Sequence, residues 1–97
     1  KLQVLSLNSN EINTLEVLSD CTELREIYVS SNNLVSLNGL EKAIRIEVIE
    51  ADNNRINNLN GLSNATVLKS VSLKDNFNGL FIETSIRPLQ STKFTDT

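Results

Sequence analysis

Leu2-Gln3-Val4-Leu5-Ser6-Leu7-Asn8-Ser9-Asn10-Glu11-Ile12 returns one repeat later as Leu24-Arg25-Glu26-Ile27-Tyr28-Val29-Ser30-Ser31-Asn32-Asn33-Leu34. It returns again as Ile46-Glu47-Val48-Ile49-Glu50-Ala51-Asp52-Asn53-Asn54-Arg55-Ile56, and a fourth time as Leu68-Lys69-Ser70-Val71-Ser72-Leu73-Lys74-Asp75-Asn76. Each stretch follows one pattern, Leu-x-x-Leu-x-Leu-x-x-Asn-x-Leu, until the fourth drifts and puts Asn78 where an aliphatic belongs. A fixed period of this length means that one structural unit is repeated and stacked, each unit contacting its neighbours. Residues 1–77 are therefore read as four repeats, in frame 2–23, 24–45, 46–67 and 68–89. Residues 78–97 are read as either a degenerate last repeat or a C-terminal cap.

Within each repeat two periodicities alternate. Leu5 and Leu7, or Leu24, Ile27 and Val29, carry the every-other-residue pattern of a short strand with one face inward. The second half spaces its apolar residues by three: Ile12, Leu15, Leu18, Cys21, then Leu34, Leu37, Leu40, Ala43, then Ile56, Leu59, Leu62, Ala65. That spacing suits a 3₁₀ turn, whose side chains at i and i+3 eclipse. Successive strands should stack in parallel on a concave sheet, with 3₁₀ turns and loops on the convex side. Gly39 and Gly61 follow Asn38 and Asn60 at one repeat position, where a tight turn with positive φ is expected. The last apolar column takes only Cys21, Ala43 and Ala65, which implies close approach of the coils, with Cys21 as a buried small hydrophobe.

Asn10, Asn32, Asn54 and Asn76 all fall at the ninth place of their repeat. A primary amide has two donors and one acceptor oxygen, so stacked asparagines can bond backbone groups of neighbouring coils as the chain leaves the strand. Losing one would strand backbone groups at about 1–3 kcal/mol each, and the four are read as a structural ladder.

These phrases resemble the leucine-rich repeats. The resemblance covers residues 2 to about 77 and implies an α/β-class solenoid, a right-handed coil of strands and crossovers. The 22-residue length and the run Asn-x-Ile-x-x-Leu-x-x-Leu resemble the class typified by the regulatory subunit of type 1 protein phosphatase, whose members are mostly intracellular and non-enzymatic. Bacterial internalins share the length, but their coils often carry a proline before the second leucine pair, where this chain has Asn38-Gly39 and Asn60-Gly61. Members of the intracellular class often close with an aromatic-containing cap. Phe81, Ile82, Ile86, Pro88, Leu89, Phe94 and Asp96 resemble it, although a final Leu-Asp is missing.

Composition excludes several functions. The 97 residues hold no histidine and a single cysteine, so neither a Ser-His-Asp nor a Cys-His nucleophile can be assembled, and zinc ligation fails equally. Asp52-Asn53-Asn54 and Asp75-Asn76 lack the spacing and glycine of a calcium loop. Glu26, Glu47, Glu50, Asp52 and Asp75 are read as a solvated face rather than an acid–base pair. No enzyme activity, no cofactor and no small-molecule substrate are expected. A net charge of −3 with a pI near 4.8 opposes direct nucleic-acid binding, which needs clustered Lys and Arg. No apolar run approaches the ~20 residues of a membrane span. One cysteine favours a reducing compartment, cytoplasm or nucleus over the extracellular space. Asn64-Ala65-Thr66 is an N-glycosylation pattern, but so asparagine-rich a chain produces one by chance. Leu2 enters the first strand without a polar cap, so the chain is read as a fragment of a longer solenoid.

If the strands stack, outward residues form columns: Val4, Glu26, Val48, Ser70; Ser6, Tyr28, Glu50, Ser72; Asn8, Ser30, Asp52, Lys74; and Ser9, Ser31, Asn53, Asp75. Tyr28, the one tyrosine, stands centrally between valine neighbours and suits an interface anchor. The expected partner-binding residues are Val4, Glu26, Tyr28, Val48, Glu50, Asp52 and Lys74. Four strands at ~4.8 Å spacing and about five residues of ~3.3 Å give on the order of 250 Å², against about 800 Å² per partner for a stable interface. The working surface should therefore extend beyond these strands. The function expected is a protein–protein interaction scaffold or regulatory subunit. Its rivals are an architectural subunit of a large assembly, such as an axoneme or splicing particle, and an extracellular adhesion domain.

Overall fold

The computed structural model describes residues 3–76 and the strand at 93–95. Its strands are β1 (Val4–Ser6), β2 (Glu26–Tyr28), β3 (Val48–Glu50), β4 (Ser70–Ser72) and β5 (Lys93–Thr95), and they form one parallel sheet in chain order. Register is constant across the first four: Leu5, Ile27, Ile49 and Val71 are direct partners, each at the same place in its repeat. Phe94 pairs with Val71 after a slightly longer step along the chain. Apart from Lys93–Thr95, the segment 77–97, where the cap or degenerate repeat is expected, lies outside the described residues.

Parallel order requires each strand to be followed by a crossover back to the starting edge. In the described residues those crossovers are turns and single 3₁₀ turns, η1 (Glu16–Leu18) and η2 (Asn60–Leu62), with no α-helix. The crossover from β2 to β3 differs from its neighbours. Leu40 N–H donates to Leu37 O, closing a turn in which Gly39 takes φ +116°. Gly61, expected to need positive φ as well, lies inside η2 and does not have it. Its lack of a side chain is required for another reason: a Cβ there would stand 2.2 Å from Leu37 O of the preceding coil, and one on Gly39 would stand 2.2 Å from Leu15 O. Val17 holds the equivalent place in the first coil, out in solvent at 83% exposure, because no described residue packs against it.

The core runs as one continuous interior through the stack. Leu24, Ile27, Val29, Leu34, Leu37, Ile46, Ala51, Ile56 and Val71 are wholly buried, joined by Leu40, Ala43, Ile49, Leu59, Leu62 and Ala65. Both periodicities of the sequence thus point into the same space. Full burial of each leucine, isoleucine or valine among them contributes about 1.5–3 kcal/mol, which is what holds such short strands in register. The coil ahead of them is less enclosed. Leu5, Leu7, Ile12 and Cys21 are only partly buried, so the expectation of a buried Cys21 gives way to a half-buried one at the open face of the first coil.

The asparagine ladder forms as the amide chemistry requires. Asn32 Oδ1 accepts the N–H groups of Asn10 and Ile12, while its Nδ2 donates to Leu7, Val29 and Ser30 carbonyls. Asn54 takes Leu34 N–H and serves Val29, Ala51 and Asp52; Asn76 takes Ile56 N–H and serves Ala51 and Lys74. The Asn10 side chain, at the exposed end of the ladder, bonds Leu7 and Asn8 carbonyls of its own coil. No buried side-chain N or O among the described residues lacks a partner.

Candidate functional site

The strands are too short to leave much choice about what faces solvent. In each of β1–β4 the middle residue points inward and its neighbours outward, so the sheet presents the rows Val4–Glu26–Val48–Ser70 and Ser6–Tyr28–Glu50–Ser72. Five of the expected partner-binding residues, Val4, Glu26, Tyr28, Val48 and Glu50, are thereby neighbours on one surface. Val4 is 53% exposed, and the other four are intermediate.

Tyr28 is not a free aromatic. Its hydroxyl donates to Glu26 Oε1 at 2.7 Å, which draws the side chain back along β2 toward the valine row. The same bond to Glu26 holds the phenol above the ordinary tyrosine pKa; burial adds to the rise, as do the negative charges of Glu26 and then Glu50. Tyr28 therefore remains protonated and able to donate. An aromatic tethered this way loses less rotamer freedom when a partner packs on it.

Asp52 and Lys74 lie one row further and are occupied differently. Asp52 Oδ1 accepts from Ser72 Oγ at 2.7 Å and from Lys74 N–H at 2.9 Å. The same link recurs one and two coils earlier: Asp52 N–H donates to Ser30 Oγ, and Ser30 N–H donates to Asn8 Oδ1. The column Asn8, Ser30, Asp52 is thus a second ladder, in which each side-chain oxygen receives the N–H of its counterpart in the next coil. Lys74 offers no acceptor and cannot extend it. Asp52 has structural work on this face in addition to any contact with a partner.

The column behind it is a turn. Ser9, Ser31, Asn53 and Asp75 all adopt φ between 55° and 61°. This left-handed conformation is uncommon outside glycine, and short polar residues tolerate it best. It swings the chain from the strand into the asparagine ladder. The recurrence of Ser, Ser, Asn and Asp just before the ladder asparagine was the available signal for it.

On the other side of the rows, Glu47 lies between two cations, 3.8 Å from Arg25 and 3.6 Å from Lys69. Arg25, Glu47 and Lys69 share one repeat position, so an alternating-sign column at the repeat step carried this line in the sequence. Exposed pairs of this kind contribute about 0–1 kcal/mol, and their effect here is to meet the charge of Glu47 while leaving one border of the face weakly cationic. Among the described residues no group of carboxylates or thiols is arranged to hold a metal, and no helix is long and apolar enough to cross a membrane.

Residues 1–42 match a family model described as leucine-rich repeats, in two copies. No curated protein matches the chain. The match covers the first two phrases, and the third and fourth continue the same sheet, core and ladder in unbroken register. The described coils form a leucine-rich repeat solenoid.

Proposed function

We propose that this chain is a non-enzymatic scaffold that captures a partner protein on the outward rows of β1–β4. Leucine-rich repeats generally mediate protein–protein interaction. The observation that carries the reading is Tyr28: a half-exposed aromatic fixed by Glu26, at the centre of a sheet face on which no described segment lies. Interface anchors are typically such residues, rigid aromatics surrounded by groups that exclude water. Within this reading the chain is an intracellular member of the 22-residue class, of the regulatory-subunit type, acting in cytoplasm or nucleus. Neither nucleic acid, membrane nor a small-molecule substrate is its ligand.

The side chains of Tyr28 and Glu50 leave the core untouched, so they can be changed without unfolding the stack. The double variant Tyr28→Ala, Glu50→Lys should keep its circular dichroism and unfolding midpoint. It should also lose at least tenfold of the affinity for proteins that the unaltered chain retains in a quantitative pull-down. Equal retention by the folded double variant would place the working surface elsewhere.

A further inference from the structure

The acidic residues around the sheet differ in how their charge is met. Glu47 is paired with Arg25 and Lys69, and Glu23 with Arg45. Asp52 Oδ1 is taken by Ser72 and the Lys74 N–H, while Glu41 Oε1 receives the Gly39 N–H. On the two outward rows only Glu26 and Glu50 remain, and neither has a cation within 4.0 Å among the described residues. They stand on adjacent strands, with Tyr28 directly opposite Glu50 and Val48 directly opposite Glu26. The four residues thus form a block about two strands wide, ~4.8 Å from strand to strand, with carboxylates on one diagonal and apolar surface on the other.

The geometry points to a cationic side chain, arginine or lysine, on an extended segment of the partner protein as the group that seats here. This rests on the partner-binding reading of the same face and names the chemistry of its occupant. The segment's aliphatic stem would lie on Val48, while its charged head reaches both carboxylates beside the Tyr28 ring. Two carboxylates and an aromatic face acting on one cation are mutually reinforcing. An acidic or neutral head would leave the two like charges of Glu26 and Glu50 uncompensated once water is excluded from between them. The row Arg25–Glu47–Lys69 pairs its single carboxylate with two cations and offers a cationic segment no free acceptor, so the attraction is local to the Tyr28 block.

The test titrates the isotopically labelled full chain with three synthetic pentapeptides. They share Val-Thr-X-Thr-Val and differ in X, which is arginine, glutamine or glutamate; amide shifts of the chain are followed by NMR. The arginine peptide is expected to shift Glu26, Tyr28, Val48 and Glu50. It should bind at least tenfold tighter than the glutamate peptide, and this margin should disappear in the folded variant Glu26→Gln, Glu50→Gln. If all three peptides bind these rows equally, the cation inference is overturned and the protein-binding reading of the face survives. If none of them shifts these rows up to millimolar concentration, or all bind elsewhere, both are overturned.

Discussion

Asn54→Ala should destabilise the chain by about 3 kcal/mol, the sum of an orphaned buried donor and the hole left by the amide. Asn54 is 7% exposed, and its Oδ1 is the acceptor for Leu34 N–H at 3.0 Å, deep in the preceding coil. The carbonyls it serves suffer less, because Val29 O keeps Asn32 and Ala51 O keeps Asn76. Asn10 provides the matched control. It is exposed, its side-chain bonds remain within its own coil, and Asn10→Ala should cost less than about 1 kcal/mol because water replaces what is lost. Urea unfolding of both variants measures the difference, and amide exchange should show Leu34 as the site that loses protection. Equal costs for the two substitutions would mean that the ladder does not bind coil to coil.

A larger effect is expected at Gly39. An alanine Cβ there would lie 2.2 Å from Leu15 O, 2.4 Å from Leu15 C and 2.9 Å from Glu16 N, all of them backbone. No side-chain rotation relieves such a clash, so the second coil must part from the first, at roughly 1–3 kcal/mol for overpacking. The backbone at φ +116° adds a further cost of about 1–3 kcal/mol for any residue with a Cβ. The total, roughly 2–6 kcal/mol, is a large share of the stability of a domain this size, about 5–15 kcal/mol. Gly61→Ala meets the same 2.2 Å approach, to Leu37 O, without the positive φ, and should cost less. Val17→Gly, at the equivalent place with open space before it, should change stability by only about 0.5–1 kcal/mol, through backbone entropy. Thermal and urea unfolding of the three variants should rank them in that order. A Gly39→Ala chain as stable as its parent, to within the small effect of an ordinary surface substitution, would show that the coils are not in contact there.

The legible features of this chain were those in which one chemistry recurs at one place. Leu5, Ile27, Ile49 and Val71 are all aliphatic, and Asn10, Asn32, Asn54 and Asn76 are identical, so period alone aligned them and implied the sheet and the first ladder. The second ladder was hidden because its members are unlike. Asn8, Ser30 and Asp52 share only an oxygen at the right distance, which a residue-by-residue comparison does not reveal. Gly39 and Gly61 mislead in the opposite sense. Identical residues at one position serve a left-handed turn in one coil and a 3₁₀ turn in the next, because close approach of the preceding backbone is the constraint they have in common. On the candidate site, the rows were readable from alternation, whereas the Tyr28–Glu26 bond and the sequestration of Asp52 depend on side-chain reach within the folded sheet.

Successive coils of constant length share one interior and one parallel sheet, and the rest of the molecule's behaviour depends on that arrangement. Scalar couplings across hydrogen bonds, measured by NMR on the labelled chain, test it most directly. They should connect Leu7 N–H to Tyr28 O, Val29 N–H to Glu50 O and Ala51 N–H to Ser72 O, all at the same step along the chain. Couplings that instead join these strands antiparallel, or that shift register by even one place, would contradict the account, because such a slip turns the inward aliphatic of the slipped strand out to solvent.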